Sequence, residues 1–429
     1  MQVTAVLLCL FVTLALGMPV GFSMGLAGIF GLFMLGGLNT VMGILDTTAL
    51  SAVSSYELIT IPMFLLMAEL VLVSGVAKEL FRAAAAWVGR IPGGLGIATA
   101  LTGAGFAAIC GSSTAAAATL SSTSLPAMLE QGYEPRMAAG VVAVSGTLAI
   151  LIPPSVGLVL YGIIADVSIG KLLVGGVIPG LLVTLTIILT VLFLVWQDPS
   201  RAPTSPSVSW REKFALLQVV APMLTLFGMV TGVIYTGVAT PTEASALGAA
   251  GAFFIAVIKR ASVPDMYQAF LRATLSTCMI LTIILGASIF GYYFTLSKVT
   301  QDLTHWVVAL GVAPWVIIAF FLISHIIMGA FMDQIAIMVL TIPVALPIII
   351  PLGYDPIWFG VIVTMLVEIA LISPPDGTVL YVLQGMRGTK GSITDVFRGV
   401  MPFIAVYVLA IVLLMFFPAI ALWLVSVSR

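Results

Sequence analysis

The chain has 429 residues, 61% of them hydrophobic and 8% charged, with a net charge of −1 and a mean hydropathy of +1.23. Soluble domains are about 45–50% apolar and about 25% charged, so this is a polytopic membrane protein without a soluble domain of useful size, and sparse Lys and Arg leave no basic face for nucleic acid. Cys9, Cys110 and Cys278 lie in apolar runs without metal-ligand spacing, and no HExxH, GxSxG or GxxxxGK[ST] pattern occurs, which argues against a metalloprotease, a serine hydrolase and a nucleotide-driven pump.

The first apolar stretch, residues 3–37, is too long for one straight span of about 20 residues and is interrupted at Gly17-Met18-Pro19, so it is one kinked helix or two. No basic residues precede it, unlike a removable signal peptide. A polar connection is expected next, then a span near 57–74. Lys78, Glu79, Arg82 and Arg90 around an alanine-rich stretch read as an amphipathic surface helix. Residues 95–130 form two apolar arms of about 15 residues around Gly111 to Thr114; neither crosses a bilayer, which favours a re-entrant hairpin. A helix broken by Pro153-Pro154 is expected at 136–165 and a span at 172–196, closing a first unit over 1–196. The hydrophilic stretch 197–213 reads as a cytoplasmic linker. The second unit, 214–429, carries spans near 214–236, 242–258 and 267–297, a short amphipathic piece near 299–310, a hairpin at 312–352, a helix at 357–386 broken by Pro374-Pro375, and a last span at 400–426.

One block occurs twice. Leu125-Pro126, Gly132-Tyr133-Glu134-Pro135 and Pro153-Pro154 recur as Leu346-Pro347, Gly353-Tyr354-Asp355-Pro356 and Pro374-Pro375, offset by 221 residues without a gap. The same register sets Gly111-Ser112-Ser113-Thr114 opposite Met332-Asp333-Gln334-Ile335. An odd number of crossings between the hairpins inverts the second copy. If the first hairpin enters from the cytoplasm, Lys78, Arg82, Arg90, Arg136, Arg201, Arg211, Lys213, Lys259, Arg260, Arg272, Arg387, Lys390 and Arg398 lie on that side, leaving only Lys171, Lys298 and Arg429 outside, as the positive-inside rule requires. The expected fold is an all-α polytopic membrane protein of inverted repeats, each with a re-entrant hairpin and a Pro-Pro-broken helix, as in secondary transporters.

Breaks at membrane depth leave backbone groups without helical partners. Free carbonyls attract a cation and half-helix N-termini a carboxylate. Ser112, Ser113 and Thr114 add hydroxyls at the first tip; Asp333 and Gln334 add a carboxylate and an amide at the second. Gly146, Thr147, Ile152 and Ser155 flank the first proline break, and Glu368, Ser373, Asp376 and Gly377 the second. The alternative is structural: small polar residues permit close helix packing, which suits Ser121, Ser122 and Thr123. Glu243, after Thr240-Pro241-Thr242, reads as a helix cap and Asp166 as a solvated helix end; Glu69 has no evident role.

These residues resemble a family, the large membrane subunit of tripartite ATP-independent periplasmic (TRAP) transporters. The resemblance is carried by Gly111 to Ala115, Ser145-Gly146-Thr147-Leu148 with Ile152 to Ser155, Val167 to Lys171, Thr240 to Ala244, Phe331-Met332-Asp333, and Ser373-Pro374-Pro375 with Gly377. It implies an elevator-type fold of the ion-transporter superfamily in the bacterial inner membrane, sodium-coupled import of a small organic anion, and two partners, a small four-helix membrane subunit and a periplasmic substrate-binding protein. It implies no cofactor beyond sodium as coupling ion. It puts sodium at Ser112, Ser113, Gly146 and Thr147, and at Gly329, Asp333, Ala370 and Ser373, and substrate near Ser113, Thr114, Ser145, Pro154, Ser155, Asp376 and Gly377. Asp376 departs from the family, which has an apolar residue there, and bears on substrate charge. A stand-alone sodium/dicarboxylate symporter of similar shape is the alternative; an enzyme would need a base, and His325 has no recognisable partner.

Overall fold

Lipid offers no partners to backbone N–H and C=O groups, so a spanning chain must satisfy them within its own helices. Regular structure among the described residues is accordingly all helical. The computed structural model describes residues 2–206, 208–329, 332, 334–375, 377–387 and 392–428; the expectations placed on Phe331, Asp333, Asp376, Lys390 and Arg429 lie outside the described residues.

In chain order the helices are α1 (Gln2–Ala15), α2 (Val20–Ser51), α3 (Thr60–Val73), α4 (Val76–Val88), α5 (Gly94–Cys110), α6 (Ser113–Glu130), α7 (Pro135–Thr147), α8 (Val156–Ala165), α9 (Ile169–Gln197) and α10 (Trp210–Tyr235). They continue with α11 (Pro241–Ile258), α12 (Val263–Leu296), α13 (Val299–Ala309), α14 (Pro314–Gly329), α15 (Gln334–Ile349), α16 (Pro356–Ile372), α17 (Thr378–Arg387), α18 (Ile393–Phe416) and α19 (Ala419–Val427). Among the described residues, seven segments are helical, long and apolar enough to cross a membrane.

The first apolar stretch is two helices, parted at Gly17. The expected polar connection is instead the continuation of α2, kinked at Gly37 and running to Ser51. Its Thr40, Thr47 and Ser51 are accommodated in the helix, returning their hydroxyls to carbonyls three or four residues back, at 3.0, 3.3 and 3.4 Å.

The starts of α6 and α7 and those of α15 and α16 keep the 221-residue offset, Ser113 with Gln334 and Pro135 with Pro356. Pro153–Pro154 and Pro374–Pro375 are both cis and stand at the matching breaks. Side chains cap some of the helix starts: at α16 Asp355 accepts from Ile357 and Trp358 at 2.7 and 3.2 Å. Thr240 and Glu243 form a reciprocal capping box at the start of α11.

Packing separates the helices into two groups. In one, α2, α3, α11 and α12 lie against each other, with α1 on α2 and α10 on α11. In the other, α5 to α9 interleave with α14 and α16 to α18. There α7 and α16 are the innermost helices, buried from Met137 to Thr147 and from Trp358 to Ile372. The groups meet where α3 contacts α5 and α8, where α4 packs on both α10 and α5, and where α12 contacts α15, which lies on α8 and α16. Glu69 joins α3 to α12 within the first group, accepting from Arg272 Nε at 2.7 Å.

The linker is tied down. Glu134 donates its amide to Arg201 O at 2.8 Å, Ser205 donates its amide to Gly89 O at 2.9 Å, and the Ser205 hydroxyl donates to Gln131 Oε1 at 2.9 Å. Within the linker the Ser200 hydroxyl, its amide and Arg201 hold the Asp198 carboxyl below the usual range.

Candidate functional site

The first hairpin turns because Gly111, at φ 58°, closes α5 in the left-handed region and Ser112 is extended. The Ser112 side chain makes no cap to α6, so it leaves amides of that helix start available to a ligand. The tip abuts the first break: a Cβ on Gly111 would stand 3.2 Å from Val156 and 3.5 Å from Pro154 O.

Between this tip, the start of α8 and the start of α15 lies a cavity of about 180 Å³. That is below the roughly 300–1,000 Å³ of drug-sized ligand pockets, and suits a molecule of few atoms. Its polar lining is Ser112, Thr114, Gln334 and Ser276; Ile150, Val156 and Met338 are among its apolar walls. Gln334 Oε1 is buried there without a hydrogen-bond partner. Among the described lining residues none carries a charge. Three helices begin at the cavity, α6, α8 and α15, so partial positive charge converges on it.

Ser112 and Thr114 line the cavity, their hydroxyls 3.3 Å apart. Ser113 is buried behind them and donates to Thr147 O at 3.1 Å, bonding the hairpin tip to the end of α7. Gly146 faces α6 so closely that a Cβ would meet Ala117 at 2.7 Å. Thr147 returns its hydroxyl to Val144 O at 2.9 Å. Ser145 Oγ is buried and unpartnered, beside Gly103 of α5. Ser155 caps α8, accepting from Leu158 N at 3.1 Å and donating to Ile150 O.

On the second side, Gly329 meets α16 where a Cβ would overlap Ala370. Ser373 N donates to Ala370 O at 3.3 Å and Gly377 N to Ser373 O at 3.0 Å. Gly329 and Ala370 thus form a second contact between a hairpin arm and the helix leading into a proline break, where Ser373 and Gly377 stand; none of the four lines the central cavity.

Sequence reasoning did not single out Ser276 of α12, which lines the cavity from the other helix group. Glu368 is fully buried; the Tyr407 hydroxyl donates to its Oε2, and its Oε1 has no partner. His325 clasps the second hairpin, its ring nitrogens 2.7 Å from Phe321 O and 2.9 Å from the Thr341 hydroxyl. The hydroxyls of Ser121, Ser122 and Thr123 return to α6 itself.

At the first hairpin contact a hydroxyl meets a carbonyl, Ser113 with Thr147, oxygen ligands that fit a hard monovalent cation better than a transition metal, and among the described residues no cluster of three His, Cys, Asp or Glu occurs.

Helices of this order around two interrupted hairpins and two broken helices make the fold of a multi-pass membrane transporter, and the YdaH transporter of Alcanivorax borkumensis shares it, with a TM-score of 0.61 at 15% identity over 89% of this chain and 88% of that one. Residues 7–420 match the family described as "Tripartite ATP-independent periplasmic transporter, DctM component". The chain belongs to this family: it is a large permease subunit of the inner membrane rather than an enzyme. It is 36% identical to the C4-dicarboxylate TRAP transporter large permease protein DctM of Pseudomonas aeruginosa, over 86% of each chain. It is 31% identical to the isethionate TRAP transporter permease protein DctMQ of Oleidesulfovibrio alaskensis, over 96% of this chain and 64% of that longer one. Membership implies two further components, a small membrane subunit and a substrate-binding protein.

Proposed function

We propose that this subunit imports a small organic anion, a dicarboxylate, keto acid or sugar acid, in symport with sodium. The supporting observation is the small cavity at the first tip, walled by both repeats, where uncharged polar groups and three helix starts converge. A carboxylate there accepts from amides at the starts of α6 and α15 and from the Ser112 and Thr114 hydroxyls. Ser145, Pro154, Ser155 and Gly377 shape the shell behind it, and Asp376 selects on substrate charge. Names of relatives agree with an acid substrate, a C4-dicarboxylate in one and isethionate in another.

Bound sodium supplies positive charge against the anion. One ion lies among Ser112, Ser113, Gly146 and Thr147, and the other among Gly329, Asp333, Ala370 and Ser373. These residues draw the hairpin tips onto the proline breaks, so that the loaded cavity closes. The two copies face opposite sides of the membrane, and the inner helix group carries its side of the cavity past the scaffold of α2, α3, α11 and α12. The partners are a small four-helix subunit and a periplasmic binding protein that delivers substrate. DctMQ agrees with the first partner, because its name and extra length fit a fusion of the two membrane subunits.

Liposomes holding the chain and its two partners test this. An inward sodium gradient is expected to drive uptake of labelled succinate, and a panel of other carboxylates ranks the substrate class. Uptake of equal rate with and without sodium contradicts the coupling.

A further inference from the structure

Arg387 ends α17 with 8% of its surface exposed, and its Nε and Nη1 are buried without an acceptor. Arginine has no neutral form to retreat to, and a buried cation without partners is destabilising. Asp395 attracts Arg387 electrostatically but leaves its Nε and Nη1 unbonded, because it accepts instead from Arg136 Nε at 2.8 Å.

The position gives this cation a use. α17 starts at Thr378, just past the second proline break, and its 10 residues end at Arg387, about 15 Å on. It packs on α6, the returning arm of the first hairpin, and on α7, α16 and α18. Arg136 and Asp395 sit in the first turns of α7 and α18, so Arg387 stands where the hairpin arm meets the ends of these helices. The central cavity has no basic side chain among its described lining residues. α17, which ends at Arg387, packs on the returning arm of the hairpin whose tip lines that cavity.

We infer that Arg387 is a second anion station on the exit side of the first hairpin, taking a carboxylate of the substrate after it leaves the central cavity. This rests on the anion-import reading above. The carboxylate completes the missing hydrogen bonds while bound, and its departure restores the unpaired cation. The station is a subsite of release, so it acts on affinity from the cytoplasmic side.

The test compares the parent with Arg387→Gln and Arg387→Lys in liposomes with both partners, measuring half-saturation by labelled succinate separately from each face. Arg387→Gln is expected to raise the inner value about tenfold and leave the outer value unchanged, with Arg387→Lys intermediate. Equal inner values in parent and Arg387→Gln overturn the proposal. A rise on both faces overturns it by moving the residue to the central site. An effect seen only with anionic phospholipid makes a lipid phosphate the occupant and also overturns it. The thermal midpoint of purified Arg387→Gln in chloride is expected to equal or exceed the parent's; a lower midpoint means the guanidinium is structurally paired. If the parent moves no succinate in either direction, the transport reading fails rather than the anion station. The station is then read from the midpoint shift by sulfate: a smaller shift in Arg387→Gln supports it, and equal shifts overturn it.

Discussion

Ser113 sits at the tip of the first hairpin but turns away from the cavity to bond Thr147 O, leaving Ser112 and Thr114 to face it. Alternation at the tip thus divides one polar triplet between a tip-to-break contact and a lining. Ser112, Thr114 and Gln334 were legible in the sequence because each interrupts an apolar run, where a polar group has no other reason to be. Ser276 was not: Thr274, Ser276 and Thr277 lie together on α12, and only packing decides which faces the cavity. Nor could the sequence pair Glu69 with Arg272, since they are 203 residues apart. At this scale the sharpest charge in the sequence is Asp333, since a carboxylate in an apolar stretch costs about 2.5–3.5 kcal/mol on insertion scales. If it binds sodium, Asp333→Asn raises the sodium half-saturation of uptake about tenfold with protein level unchanged. Wild-type sodium dependence would return it to a structural role.

Each hairpin works as an element by touching the proline break beside it. The second contact has no room: a Cβ on Gly329 would overlap Ala370. Gly329→Val is therefore expected to separate α14 from α16 and abolish sodium-driven uptake in protein that still reaches the membrane; near-normal uptake would dissociate this contact from the ion site. Thr240→Ala is the opposite case, a cap in the other helix group. It should lower stability by about 1 kcal/mol and spare the sodium dependence, as read from thermal midpoints and uptake. Proline pairs and their spacing made the breaks legible, because proline removes a donor wherever it stands. The end of α2 was illegible for the converse reason: Thr40, Thr47 and Ser51 look like loop residues until their hydroxyls bond the helix itself.

For the whole molecule, the repeat register and the loop charges carried more than any single motif. They gave the order of the elements, while the division into two helix groups meeting through α3, α4 and α12 depends on side-chain fit that no spacing encodes. The account requires the two copies to face opposite sides, so that both tips approach one cavity. Glu130 and Pro351 are counterparts in the register, both exposed at the ends of their hairpins. Single cysteines at these positions, with Cys9, Cys110 and Cys278 replaced by alanine, are to be labelled with an impermeant maleimide in right-side-out and inverted vesicles. The account expects Glu130→Cys to react only from the cytoplasmic face and Pro351→Cys only from the outer face; reaction of both from one face would contradict it.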